Sequence, residues 1–431
     1  MPERLTARAV TAQVDPVAFF AALAAATSDV FWLDSGSGSL DGWSFIGTGN
    51  ADARPDQVRI DASQSTGIPF SGGWVGWCDY ESGARAAGAP IEPSVGEAWL
   101  RVTRLAAFDN TTGETWALAA DDDIDEWASF VCEPRGAASA LPAEPGGPAA
   151  VARHTPAEYA ALIEQCRALI RAGIAYQVCL TTRFTVRGAH DDVSTYLRLR
   201  GATPAHHGGF VRIGGRSLLS ASPEQFLHAE GGVIRTRPIK GTRPRGADPE
   251  TDAALAAELR ADPKERAENV MIVDLMRNDL SRVCVPGSIR VDGLWQVETY
   301  PAVHQLVSTV SGTAAEGTTF AALLDAAFPA GSMTGAPKLS AMTRLHELEG
   351  GPRGVYAGCF GYVSDGGAVD LAMVIRSIVI DTDEAVVGAG GGITWRSAAA
   401  SEVAEVATKA RAPLAALGAR LPASWRSDIL D

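Results

Sequence analysis

Hydrophobic residues in the first 132 positions fall in short runs rich in aromatic and β-branched side chains, at 30–33, 43–46, 99–102 and 116–118, with turn residues between them. Runs of that length predict strands. One helix start stands among them, where Asp15-Pro16 opens the apolar stretch 17–26. That stretch lacks the basic flank and cleavage pattern of a signal peptide. From 133 to 152 the chain becomes rich in Ala, Pro and Gly, the composition of a linker. Thr155-Pro156-Ala157-Glu158 then reads as a capping box with proline at the first helical position. Tyr159, Leu162, Ile163, Cys166, Leu169 and Ile170 recur at helical spacing until Gly173.

Beyond this point strands (176–186, 210–219, 303–310, 356–380) and helices (262–280, 339–348, 401–417) interleave irregularly. Adjacent strands with hairpin-length links predict an α+β protein, with antiparallel sheets and helices outside, rather than a βαβ alternation. The pattern divides the chain into a β-rich region 1–132, a linker 133–152 and a region 153–431. Whether the two regions are separate domains or layers of one unit is left open. No internal repeat is evident.

A hydrophobic content of 46% in 431 residues is ample for a core. No apolar run approaches the roughly 18 to 20 residues that span a bilayer, so a cytoplasmic protein without a membrane partner is expected. The six cysteines have neither disulfide-framework nor zinc-ligand spacing. A net charge of −14 disfavours nucleic acid as a partner. An anionic substrate would need local positive charge.

Basic residues sharpen the picture, because lysine supplies only four of 37: Lys240, Lys264, Lys338 and Lys409. A guanidinium stays protonated, whereas a lysine amine can act as nucleophile or base, which makes Lys240 in Pro238-Ile239-Lys240-Gly241-Thr242 a candidate for chemistry. Glu265 and Glu268 lie i, i+3 in a predicted helix, and Glu402 and Glu405 repeat that spacing in another. Each pair is also compatible with a solvated surface. Two facing pairs suit Mg2+, which needs only one or two carboxylates plus substrate oxygens. Lys409 stands one turn past Glu405. The glycine-rich segments 331–338 and 388–392 would let backbone approach an anion, although the first fails the phosphate-loop spacing. Glu224 precedes Lys240 by a distance that a hairpin could close. His304 sits in an alternating apolar run, where a core histidine is the ordinary reading. Arg376 ends an apolar strand, and a buried arginine needs an anionic partner.

Together these segments resemble the chorismate-utilising enzymes. The resemblance rests on Ser222-Pro223-Glu224, Pro238 to Thr242, Glu265 to Asp279, Gly331 to Lys338, Ile375-Arg376 and Glu402 to Lys409, and runs from about 176 to 412. It implies an α+β fold of antiparallel sheets packed as a sandwich with helices on the outside. Lysine at 240 looks like the aminodeoxychorismate synthase branch, component I, whereas the anthranilate synthase branch typically carries alanine there. Gln177 stands where the isochorismate and salicylate branches place a water-activating lysine.

The resemblance implies conversion of chorismate and ammonia to 4-amino-4-deoxychorismate, on the route to 4-aminobenzoate and folate. Lys240 would be the nucleophile at C2, Glu224 the general acid at C4, and His304 would lie by the ring. Glu268 and Glu405 would hold Mg2+, with Glu265 and Glu402 close by. Gly241, Thr242 and Lys409 would support the ring-carboxylate end. Tyr356, Arg376 and Gly390 would take the enolpyruvyl carboxylate, and Ser332 and Thr334 belong to the substrate-binding set. Cys179 departs from the asparagine frequent in relatives, and Ser377 replaces a frequent threonine. Asp34 and Ser35 match a segment that binds tryptophan in relatives and are effector-site candidates. No Gly-x-Cys-x-Gly nucleophile turn occurs, so a separate glutamine amidotransferase subunit, or free ammonia, is expected to supply nitrogen. The rival readings are anthranilate synthase component I and a non-catalytic chorismate-binding module.

Overall fold

In the computed structural model, residues 5–36, 39, 41–61, 67–136, 138, 147–300 and 303–426 are described. The 133–152 linker therefore lies partly outside the described residues. Among the described residues, twenty strands form one hydrogen-bonded network in which the paired strands run antiparallel. Among the described residues no helix is long and apolar enough to cross a membrane.

Side-chain alternation explains the layering. In Val30–Asp34, Val30 and Trp32 join a core shared with helices, while Phe31 and Leu33 join a core built from strands and connecting loops. In Cys359–Ser364, Phe360 and Tyr362 face that same strand core, whereas Cys359 and Val363 face a third core containing Ile272, Met276 and Leu323 from helices. A strand buried on both faces at a period of two lies between two layers. The order is thus helices, sheet, sheet, helices, the sandwich expected from the sequence.

The long strands Trp43–Asp52 and Ala98–Asp109 carry the network from one sheet to the other, with a register shift at Thr48/Gly49 that lets the pair bend. The 1–132 and 153–431 regions share both sheets. Val30–Asp34 pairs with His207–Ile213, and Gly73–Cys78 pairs with Cys359–Ser364.

Local signals set the element ends. Thr155 and Glu158 make both bonds of the capping box that starts helix Pro156–Arg171. Asp262 accepts from the amides of Lys264 and Glu265, which starts helix Pro263–Ser281 one residue after the predicted position. Strand Gln177–Arg187 pairs along ten positions with Glu384–Ile393, and helix Ala399–Ala416 packs on the latter. These elements, together with Ile239–Pro244, enclose a polar cavity.

Candidate active site

The glycines of the sheet fix how closely its walls approach. A Cβ on Gly388 would stand 2.1 Å from the Tyr356 ring, one on Gly391 would stand 3.0 Å from Glu402 Oε2, and one on Gly392 would stand 3.2 Å from Lys240 Nζ. Across the cavity Gly241 has φ +84°, and a Cβ there would meet the Glu265 carboxyl carbon at 3.0 Å. The cavity between these walls measures about 490 Å³, a size suited to a small ligand.

Three of the four lysines line it: Lys240, Lys264 and Lys409. Lys338 does not. Its Nζ bonds Asp279 Oδ2 at 2.7 Å and the Ala327 carbonyl at 3.1 Å, tying the 331–338 segment to the end of helix Pro263–Ser281. Lys409 bridges Glu405 at 2.6 Å and the Gly390 carbonyl at 2.8 Å. The Lys240 side chain makes no hydrogen bond or ion pair among the described residues, and neither does the Arg376 side chain. Burial pulls the Arg376 guanidinium below its ordinary value, which Tyr356 and Glu405 only partly counter. Arg376 also holds a φ of +52°, a conformation that costs a side-chain-bearing residue energy and is tolerated where the surroundings impose it. Two cations without fixed counterions thus face one cavity.

Carboxylates face it too. Burial pushes Glu224 up to about 7, against the pull of Lys240, a 3.1 Å hydrogen bond from the Ser332 hydroxyl, and Lys409. Such a group exchanges protons near neutrality. Glu265, Glu268 and Glu402 are likewise raised by burial, and Glu268 also feels Glu265 and Glu402. Burial works to raise Glu405, but Lys409, with Lys240 and Lys264, more than offsets it. Burial works to lower Lys240, yet Glu268, Cys179, Glu224 and Glu405 together hold it above its ordinary value.

Carboxylate oxygens are the donors that a hard dication takes. Glu265, Glu268, Glu402 and Glu405 come from two helices onto one cavity and repel one another. As they stand, no three His, Cys, Asp or Glu side chains among the described residues are drawn together closely enough to hold a metal by themselves.

Of the residues singled out in the sequence, Gly241, Thr242, Ser332, Tyr356 and Gly390 also line the cavity. His304 does not. Its Nε2 bonds Asp252 Oδ1 at 2.9 Å and its Nδ1 bonds Thr299 Oγ1 at 2.9 Å. Successive strand residues face opposite ways, so Gln305 takes the cavity side. Only the pairing register reveals which of the two points inward. Thr334 is also out of the lining. Its hydroxyl donates to the Ala330 carbonyl at 3.1 Å and braces the turn that presents Ser332. Asp34 is engaged by Arg200 at 2.6 Å and Tyr196 at 3.2 Å, while Ser35 lies 3.1 Å from the Ser44 hydroxyl. Both border a separate cavity of about 60 Å³, room for about two waters. Gln177 is buried beside Gly392 with neither amide atom partnered.

The chorismate binding enzyme pattern matches residues 13–415. An aminodeoxychorismate synthase of Streptomyces pristinaespiralis is 38% identical over 470 aligned residues, covering 96% of this chain and 65% of that protein. The chain thus spans 65% of that relative's length. An anthranilate synthase component 1 of Streptomyces coelicolor is 36% identical, covering 94% of this chain and 86% of that one. The crystal structure of anthranilate synthase component I from Streptococcus pneumoniae TIGR4 superposes with a TM-score of 0.72 at 27% identity, covering 95% and 92% of the two chains. With the sandwich, the cavity and a match along nearly its whole length, this chain belongs to the family of chorismate binding enzymes.

Proposed function

We propose that the protein is an aminodeoxychorismate synthase, component I, converting chorismate and ammonia to 4-amino-4-deoxychorismate. The observation that carries the reading is Lys240: a lysine amine without a hydrogen-bond or ion-pair partner among the described residues, lining the same cavity as Glu224. Chorismate is a dianion, and Arg376 and Tyr356 offer a cation and a hydroxyl to its enolpyruvyl carboxylate. The ring carboxylate lies toward Gly241, Thr242 and Lys409.

In this reading the neutral Lys240 amine attacks C2, both conjugated ring double bonds shift, and the C4 hydroxyl leaves as water with the proton of Glu224. Ammonia then bonds to C4, both double bonds shift back and Lys240 departs from C2 as the free amine. Lys240 must first lose the proton that neighbouring carboxylates help it hold. Glu268 and Glu405, with Glu265 and Glu402 nearby, would hold Mg2+. When bound, this ion supplies charge for the ring carboxylate and offsets the field that keeps Lys240 protonated. A cytoplasmic location belongs to the same reading, and so does a glutamine amidotransferase partner, because no Gly-x-Cys-x-Gly turn occurs in these 431 residues.

The anthranilate synthase relative supports a second reading, production of anthranilate. Purified protein given chorismate, ammonium and Mg2+ separates the two. Accumulation of 4-amino-4-deoxychorismate, converted to 4-aminobenzoate only when a lyase is added, is expected. Fluorescent anthranilate with release of pyruvate would overturn the first reading in favour of the second.

A further inference from the structure

Behind the cavity wall lies an ion pair whose own two residues are outside the cavity lining. Arg353 is 1% exposed and Glu349 is 4% exposed at their side chains. Glu349 ends helix Lys338–Glu349, Gly350 follows with φ +65°, and the chain turns back so that Arg353 meets Glu349 through two bonds of 2.8 Å. The same guanidinium donates to the Met333 carbonyl at 2.6 Å and to the Cys179 carbonyl at 2.8 Å. Glu349 Oε1 also accepts the Thr181 amide at 2.8 Å. On the far side, Glu81 accepts the backbone amides of Arg353 at 2.7 Å and Gly354 at 3.0 Å.

These contacts join two walls of the cavity. Met333 follows Ser332, whose hydroxyl reaches Glu224, and Cys179 and Thr181 belong to the strand paired with Gly390 and Gly392. Taking two charges out of water is costly, and apolar side chains of similar volume often serve stability as well. What apolar side chains cannot do is hold two carbonyls and a carboxylate at once, which requires the planar guanidinium fork.

We propose that the buried Glu349–Arg353 pair is a positioning element that holds the Ser332 turn against Glu224 and the Cys179 strand beside Lys240. The inference rests on the acid role given to Glu224 above. Lys240, Lys409 and Ser332 act on Glu224 from the strand, helix and turn around it. A hydrogen bond to a carboxylate favours its charged form, so loosening the Ser332 turn makes Glu224 harder to ionise.

The test compares wild type with Arg353→Lys, which keeps the charge and loses the fork, and with the double variant Glu349→Leu/Arg353→Met, which leaves no lone buried charge. The Glu224 carboxyl is followed by 13C NMR titration, assigned with Glu224→Gln, alongside kcat and KM for chorismate. Both variants are expected to titrate Glu224 at higher pH. A displacement of an ångström at reacting groups lowers kcat by about 100-fold, and KM is expected to change far less. A folded variant with wild-type titration and wild-type kcat would overturn the inference. If the double variant does not fold, Arg353→Lys decides alone. The titration needs no turnover, so failure of wild type to aminate chorismate would sink the proposed function without deciding this one.

Discussion

Ser332 donates its hydroxyl hydrogen bond to Glu224 Oε1 at 3.1 Å, and so tempers a carboxyl that burial has pushed up to about 7. The productive state needs this acid protonated while Lys240, held above its ordinary value, is neutral. Below pH 7 the population of that state rises about tenfold per pH unit. Above it, each gain in neutral amine is matched by a loss of protonated acid, so the profile levels off. At constant free ammonia, kcat/KM is expected to break near pH 7. Ser332→Ala should move the break upward, because it removes a bond that favours the carboxylate.

Glu224→Gln keeps the shape and removes the proton. General acid catalysis contributes about 100- to 10,000-fold, so kcat should fall within that range while chorismate affinity, measured by fluorescence or calorimetry, changes little. The pH break should vanish with it. Retention of the break would assign it to another group.

Lys240 yields a direct chemical test. With chorismate and Mg2+ but no ammonia, intact-protein mass spectrometry should show an adduct that peptide mapping places on Lys240, and Lys240→Arg should abolish it because guanidinium is not nucleophilic. Lys240→Ala should lose 4-amino-4-deoxychorismate synthesis. Wild-type synthesis by that variant would reduce Lys240 to a substrate-positioning role.

Arg376 faces the cavity without an ion-pair partner among the described residues. A hydrogen bond to a charged group contributes about 1.5–3 kcal/mol. Arg376→Met should therefore raise KM for chorismate roughly 10- to 100-fold. Melting temperature should change little, since no internal ion pair is broken. A large loss of stability with unchanged KM would show that the side chain is structural.

The four glutamates predict a divalent-cation requirement. Glu268→Gln or Glu405→Gln nearly preserves volume and removes a charged oxygen, so the Mg2+ concentration for half-maximal activity should rise at least tenfold for a lost ligand. Glu347→Gln, a surface change on another helix, is the control. Unchanged Mg2+ dependence in both site variants would remove these residues from the metal's coordination.

Much of this was legible along the chain, because it depends on neighbours in sequence. The capping box at Thr155, the Asp262 start of the glutamate-bearing helix and the strand at Val30–Asp34 are local, so propensity and period were enough. The i, i+3 glutamates share a helix face by geometry alone, and the scarcity of lysine pointed to three cavity residues of four.

Tertiary pairing decided the rest. Alternation says that His304 and Gln305 face opposite sides, but only pairing with Ile239–Pro244, shifted between Ile239 and Thr242, sends Gln305 to the cavity and His304 to Asp252. Lys338 looked like its three companions until the fold brought Asp279 within 2.7 Å. Nothing near Arg353 in sequence announces its grip on Met333 and Cys179, 20 and 174 residues away. A side chain's type and its phase within an element are local properties. Which partner it meets is set by the register between distant strands, and that exists only once the two sheets have closed over their shared core.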